Sequence, residues 1–291
     1  MKKTLILLFV LTLLLCGCGK EPAPETAAPT DLPEVTEVTE IPEDQEAVTE
    51  PPAETETITV TRQVRMASLD ENGEERWYRE YSYDELGRLS AEREVSSNGE
   101  ETYSTAVTYS ETGAQTLYTY PEGRTATVRE TWDEQGNVIL SEYIESGEVE
   151  HYTEYVYDAQ GRLIEDITHY VFESAVPRNK YSYDEAGNQI GHYEYSGEEL
   201  TGWLETTRDE EGRRTGTVYY GFDGAVMSRT EYSWEGNTEI GSRMDPDGTV
   251  YMVILTTYDE EGNLLRQETQ QEGFVISCTE YTYERIEITA P

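Results

Sequence analysis

A chain of 291 residues with 60 acidic against 21 basic side chains has a formal net charge of −39, a field that repels nucleic acid and anionic membrane surfaces. Tyr outnumbers Phe by 23 to 4, so any apolar face must accommodate phenolic hydroxyls, which suits a thinly covered sheet better than a deep core.

Taken in order, the chain opens on an export signal. Lys2 and Lys3 precede an apolar run, Leu5 to Leu15, that is too short to span a bilayer stably and has the length of a signal-peptide core. The run ends Leu15-Cys16-Gly17-Cys18, which resembles the bacterial lipobox: an aliphatic residue, a small residue, then the cysteine that is lipidated. Cys18 fits that place better than Cys16, whose preceding residue is the bulky Leu15. Residues 1–17 are thus expected to be removed, leaving Cys18 acylated and the protein held at the outer surface of a membrane without a transmembrane helix.

Residues 18–57 hold seven of the eleven prolines, twelve acidic residues, one lysine and no aromatic residue. Such a segment cannot bury a core and reads as a disordered, extended tether, with a reach on the order of 130 Å when fully stretched.

Residues 58–291 are strand-like throughout, with short runs of Val, Ile, Thr and Tyr broken by Gly, Asn and Asp. They are organised on degraded copies of one stretch, Tyr155 to Leu163. In the copy Tyr157-Asp158-Ala159-Gln160-Gly161-Arg162-Leu163, the Asp suits the first position of a turn, accepting a backbone N–H two residues on, and Gly161 supplies the left-handed residue of a three-residue loop with a bulge. That geometry sets Asp158 against Arg162 as an opposite-charge pair and Tyr157 against Leu163. Copies begin at Tyr83, Trp132, Tyr183, Arg208 and Tyr258, with weaker ones at Tyr109 and Trp234. A second glycine series falls midway between the first, lacking only a member near position 173. Two turns per repeat of roughly 25 residues mean one hairpin per repeat and an antiparallel meander. The expected fold is all-β: about eight repeats forming an extended, open, twisted sheet, with atypical end strands. Tyr283-Glu284-Arg285, lacking both the Asp and the Gly, reads as such an end.

The Tyr-Asp-x-x-Gly-Arg-Leu copies at 83 and 157, and at 258 with Asn for Arg, resemble the YD repeats of rearrangement-hotspot and teneurin-type proteins over roughly residues 60 to 285. The resemblance implies twisted or spiralling β-sheets, which the largest members close into hollow shells around a C-terminal toxin. With about eight copies, and with Pro291 coming soon after the strand-like Tyr281-Thr282-Tyr283, a toxin-encapsulating shell is not expected here.

No catalytic constellation stands out. His151, His169 and His192 have no zinc-type spacing, and Cys278 alternates with apolar Ile276 as a small strand residue would. No phosphate loop, nucleophile elbow or metalloprotease helix is present. Asp245-Pro246-Asp247-Gly248 offers hard oxygen ligands for calcium, yet Asp-x-Asp-Gly is also an ordinary turn, and the distal Glu of a calcium loop is missing. No cofactor is expected.

The function expected from sequence is therefore non-catalytic: a lipid-anchored extracytoplasmic protein that binds or presents at the cell surface. The candidate binding residues are the Tyr-x-Tyr rungs Tyr81 with Tyr83, Tyr155 with Tyr157, Tyr181 with Tyr183, and Tyr232 with Trp234. Each places two rings on one face of a strand, suited to the faces of an extended extracellular glycan, with a protein ligand as the other possibility. The alternative is a structural envelope scaffold or self-associating surface component whose tyrosines pack the sheet itself.

Overall fold

The computed structural model describes residues 57–172, 174 and 176–289. The expected leader, Cys18 and the tether lie outside the described residues.

Eighteen strands follow one another: β1 (Thr57–Leu69), β2 (Glu75–Tyr83), β3 (Leu89–Ser96), β4 (Glu101–Ser110), β5 (Gly113–Thr119), β6 (Thr125–Trp132), β7 (Val138–Glu145), β8 (Glu148–Tyr157) and β9 (Leu163–Tyr170). The second half comprises β10 (Pro177–Tyr183), β11 (Gln189–Ser196), β12 (Glu199–Arg208), β13 (Arg214–Gly221), β14 (Val226–Glu235), β15 (Thr238–Met244), β16 (Val250–Tyr258), β17 (Leu264–Gln271) and β18 (Phe274–Thr289). Every strand pairs antiparallel with the next, as the alternating turn series requires.

The sheet is closed, not open. β18 returns to β1 and pairs with it from Thr57↔Thr289 to Leu69↔Cys278, making an 18-stranded barrel. The feature read as an end cap is what closes it. Because Tyr283-Glu284-Arg285 lacks the Asp and Gly of a turn, β18 runs straight on for 16 residues. Its last turnless stretch then lies against the N-terminal half of β1, Ile58↔Ile288 and Thr61↔Arg285 among the pairs. Right-handed twist accumulated over many strands, which no single repeat reveals, brings the two ends together.

The turns follow the expected chemistry. In the loop after β8, the Asp158 N–H donates to the Arg162 carbonyl and the Gly161 N–H to the Asp158 carbonyl, with Gly161 at φ +76°. One oxygen of Asp158 accepts the backbone N–H groups of Gln160 and Arg162, and the other takes Arg162 Nε at 2.7 Å. Asn fills the Arg position in other copies without changing the bond: Asn137 Nδ2 reaches Asp133 at 2.9 Å and Asn263 Nδ2 reaches Asp259 at 2.8 Å. The alternation of Arg and Asn among the copies thus preserves one donor. These bonds, led at Asp158 by the Arg162 backbone and at Asp133 and Asp259 by the Asn side chain, hold the turn carboxyls below the ordinary carboxylate range.

Four repeats are latched to their neighbours by the tyrosine that opens the turn motif, before Asp in three of them and before Ser110 in the fourth. The Tyr183 hydroxyl donates to the Leu163 carbonyl at 2.6 Å, Tyr157 to Val138 at 2.9 Å, Tyr109 to Leu89 at 2.8 Å and Tyr83 to Gln63 at 2.6 Å. Each bond spans a fork where neighbouring strands diverge and backbone pairing has stopped, so the hydroxyl satisfies a carbonyl the ladder leaves orphaned. In two repeats the preceding Arg also covers the ring: Arg162 lies 4.7 Å from the Tyr183 centroid and Arg88 4.1 Å from that of Tyr109. The excess of Tyr over Phe therefore has a structural cause, since Phe cannot close the fork.

Following the pairing register around the barrel sorts the strands' side chains onto two faces. One carries Tyr81, Glu92, Thr105, Tyr118, Glu130, Tyr155, Asp166, Tyr181, Thr217, Tyr232, Glu239 and Thr256. Thr105, Asp166, Thr217, Thr230, Glu239 and Thr256 on this face are buried, whereas mid-strand ion pairs on the other, Arg93 with Glu80 and Arg129 with Glu142, are exposed. Curvature crowds side chains on the concave side, so the tyrosine face is the inner one. Closed sheets of this strand number enclose more space than their side chains fill.

The two rims differ. Turns after even-numbered strands, among them the repeated Tyr-Asp-x-x-Gly loops, form one rim, where Thr57 and Thr289 also lie. At the opposite rim Phe172, Phe222 and Phe274 are 72%, 75% and 74% exposed, the first two in the connections β9–β10 and β13–β14 and the third at the start of β18.

Candidate functional site

All eight rung aromatics, Tyr81, Tyr83, Tyr155, Tyr157, Tyr181, Tyr183, Tyr232 and Trp234, lie on the inner face, and each is half-buried. Every described strand belongs to the one sheet, so no second β layer covers them. The rungs divide by role. In three of them the Asp-adjacent ring, Tyr83, Tyr157 or Tyr183, spends its hydroxyl on a backbone carbonyl. The other ring, Tyr81, Tyr155 or Tyr181, stands further down the strand among carboxylates. Burial pushes the phenols of Tyr81 and Tyr155 up to about 12, aided by Glu92 and Asp166 respectively. Tyr181 is raised by burial and then by its hydrogen bond to Asp166.

Asp166 is the centre of a polar network on this face, and sequence reading did not single it out. It faces Tyr155 on β8 and Asn179 on β10. Its two oxygens accept Tyr181 Oη at 2.6 Å and Asn179 Nδ2 at 2.9 Å. Asn179 Oδ1 lies 3.1 Å from His192 Nε2, and the His192 ring stacks on Tyr181 at 5.0 Å. Further along, His151 lies between Tyr143 and Tyr170, with centroids at 5.0 and 5.4 Å, and burial pushes its pKa down. No spacing within one strand announces these groups; register across three strands assembles them.

The fourth rung differs. Trp234 stacks on Tyr258 at 5.9 Å, and its buried Nε1–H has no hydrogen-bond partner. Beside it Glu239, 4% exposed, pairs with Arg214, whose guanidinium lies 4.6 Å from the Tyr232 centroid.

The other sequence candidates are occupied by structure. Asp245 and Asp247 form the β15–β16 turn, where Asp247 Oδ1 accepts the Thr249 N–H at 2.9 Å. Among the described residues no group of three or more His, Cys, Asp or Glu side chains is placed to hold a metal ion. Cys278 is buried against Ala67 and Leu69, with Tyr78 and Val275 around them, and burial raises its thiol pKa.

Neither surface of the sheet offers an apolar band. Arg79, Glu92, Asp166, Glu194 and Glu239 occupy the inner face, and Glu80, Arg93, Arg129, Glu142, Glu165 and Arg178 the outer one, all within strands. A lipid-facing barrel wall excludes such charges near its midplane.

No protein-family model and no curated protein matches the chain. Solved structures do. A porin-like protein from Bacteroides uniformis is 12% identical with a TM-score of 0.45, over 76% of this chain and 97% of that one. The TcdB2-TccC3-Cdc42 structure is 14% identical with a TM-score of 0.31, over 72% of this chain. TcdB2-TccC3 without its hypervariable C-terminal region is 12% identical with a TM-score of 0.26, over 74% of this chain. The chain spans 14% and 15% of the latter two. At these scores the likeness carries no argument about what the chain does.

Proposed function

We propose that this is a YD-repeat surface lipoprotein, anchored through Cys18 outside the cytoplasm, whose barrel is a non-catalytic binding module for an extended extracellular glycan. The observation that supports this reading is the inner face itself. Half-buried tyrosines recur there from hairpin to hairpin under no second β layer, interleaved with Thr hydroxyls and carboxylates. Flat rings contact sugar faces, and the oxygens accept sugar hydroxyls. Tyr81, Tyr155 and Tyr181 are the binding members of their rungs, because their partners are committed to the backbone latches.

The scaffold reading draws on those same latches, which show tyrosine serving the sheet. A glycan array probed with the full chain and with Tyr155→Ala separates the two, with thermal unfolding as the control for folding. Binding by the parent and its loss in a folded variant are expected. A parent that binds no glycan, or a folded variant that binds as well as the parent, overturns the binding reading in favour of the scaffold. Cys18→Ala should release the protein from the membrane fraction. A variant that remains membrane-bound removes the anchor from the proposal.

A further inference from the structure

Five other mid-strand carboxylates on the inner face have donors. Glu92 and Glu94 share Arg79 at 3.6 and 2.9 Å, Glu239 pairs with Arg214, Asp166 accepts Tyr181 and Asn179, and Glu194 accepts Tyr219 Oη at 3.0 Å. Glu130, half-buried in β6, has only the Trp132 indole N–H, at a long 3.4 Å, and no cationic partner among the described residues.

Its neighbours leave it room. Reading across the barrel, Tyr109, Ala114, Glu130, Ser141 and Thr153 lie in one row on β4 to β8. Small residues therefore flank Glu130 on both adjoining strands and rings rise beyond them. Trp132 stands two residues along the same strand, 6.1 Å from Tyr109 between centroids and tilted 46° to it. Tyr155 lies two residues beyond Thr153 on the far side. Arg88, neutralised by Asp84 at 2.7 Å, stacks on Tyr109 at 4.1 Å and fixes that wall. The backbone beneath is equally closely fitted: a Cβ on Gly113 would come within 2.0 Å of the Glu130 carbonyl oxygen.

A carboxylate with no cationic partner among the described residues favours positive charge by direct attraction, and the neighbouring Tyr109, Trp132 and Tyr155 rings give an organic cation aromatic surface to pack against. We infer that Glu130, Tyr109, Trp132 and Tyr155 form a subsite for an organic ammonium group, the free amine of an amino-sugar unit within the bound glycan. This rests on the reading of the inner face as a glycan-binding surface and narrows the ligand to an amine-bearing polymer. The phenol pKa values of Tyr109 and Tyr155 are raised by burial first, then by Asp84 and Asp166 respectively, with a smaller contribution from Glu130 to both.

The test is calorimetric titration of the full chain at physiological salt with a free-amine glucosamine oligomer and with the same oligomer N-acetylated. Saturable binding of the free-amine form, at least tenfold tighter than the acetylated form, is expected, together with a change in tryptophan fluorescence. Glu130→Gln, which keeps size and hydrogen bonding, should erase the tenfold preference. Glu142→Gln, which removes one charge from the outer face, should leave it intact and so separates the subsite from diffuse attraction to an acidic protein. Equal affinity for the two oligomers, or a Glu130→Gln variant that keeps the preference, overturns the ammonium subsite while glycan binding stands. If neither oligomer binds, the subsite falls, and the array result decides whether the broader reading falls with it.

Discussion

The barrel has two seams half a circumference apart that hold by different means. Where β18 meets β1, backbone pairing runs from Thr57↔Thr289 to Leu69↔Cys278 and backs the buried cluster of Ala67, Leu69 and Cys278. Where β9 meets β10, pairing is confined to Ile167, Asp166 and Glu165 against Arg178, Asn179 and Lys180. There, side chains supply what the ladder does not: Asp166 bonds to Tyr181 and Asn179, and Glu165 pairs with Arg178. A closed sheet must be complete around its circumference, but it need not be equally stable everywhere. The seam between the chain ends is made with main chain, and the seam at mid-chain with polar stitches.

The largest expected effect is at the first seam. Ala67 is 3% exposed, and Ala67→Asp would bury a carboxylate directly opposite Glu280 on β18, costing about 3 kcal/mol or more. Chemical denaturation should show the loss. If the variant unfolds at the parent's midpoint, the closure seam does not support the barrel as described.

The second seam should break locally. Asp166→Ala orphans the Tyr181 hydroxyl and the Asn179 amide together, costing about 1–3 kcal/mol. Hydrogen exchange should quicken at β9 and β10 while β1 and β18 keep their protection. A uniform increase around the barrel would mean that the two seams belong to one cooperative unit and that the contrast is absent.

Much of this contrast was legible in the sequence, and some was not. Tyr157-Asp158-x-x-Gly161-Arg162-Leu163 specified its loop, its Asp–Arg pair and the Tyr157–Leu163 register, because all three depend on residues within one turn. The missing glycine near position 173 marked the connection where the short seam lies. Closure was not legible, since it arises from twist summed over eighteen strands, and the turnless Tyr283-Glu284-Arg285 reads equally as an end or as a strand that continues. Asp166 and Glu130 were hidden among sixty acidic residues. Only register shows that one sits beneath Tyr181 and Asn179 and that the other is flanked by Ala114 and Ser141.

Turns between the seams offer an intermediate effect. A Cβ on Gly161 would meet nothing within 4 Å, so Gly161→Val is penalised by its φ of +76° alone. The expected loss is about 1–3 kcal/mol, read from the denaturation midpoint. An unchanged midpoint would show that the loop relaxes freely and that the turns contribute little beyond connecting strands.

Titration approaches the comparison from both ends of the pH scale. The turn carboxyls of Asp133, Asp158 and Asp259 are depressed. Their contribution is present above the unfolded value near 4 and is lost as pH falls through the lower folded values. The phenols of Tyr81 and Tyr155 are raised to about 12. Their contribution is present below the unfolded value near 10 and is lost as pH rises toward 12. Thermal unfolding should therefore weaken below about pH 4 and again above about pH 10. Protection from hydrogen exchange at high pH should fail early across β8–β10, where Tyr155 and Tyr181 flank Asp166. Flat stability to pH 12 would show that these phenols are as exposed folded as unfolded.

The smallest expected change in stability belongs to the rim formed by the turns after odd-numbered strands. Phe172, Phe222 and Phe274 are nearly three-quarters exposed, so replacing all three with Ser removes little buried area and should alter stability by less than about 0.5 kcal/mol. Their contribution is to the surface: three aromatic tips, each four strands from the next, give an acidic protein an apolar arc on one rim. Binding of a hydrophobic dye such as ANS should fall in the triple variant while the denaturation midpoint holds. Phe172 sharpens the comparison, because it lies in the β9–β10 connection. If Phe172→Ser alone destabilises that seam in hydrogen exchange, while Phe222→Ser and Phe274→Ser do not affect theirs, then its ring is a further side-chain support where backbone pairing is short. If all three substitutions are silent in exchange, the polar stitches of Asp166 and Glu165 hold the second seam without it.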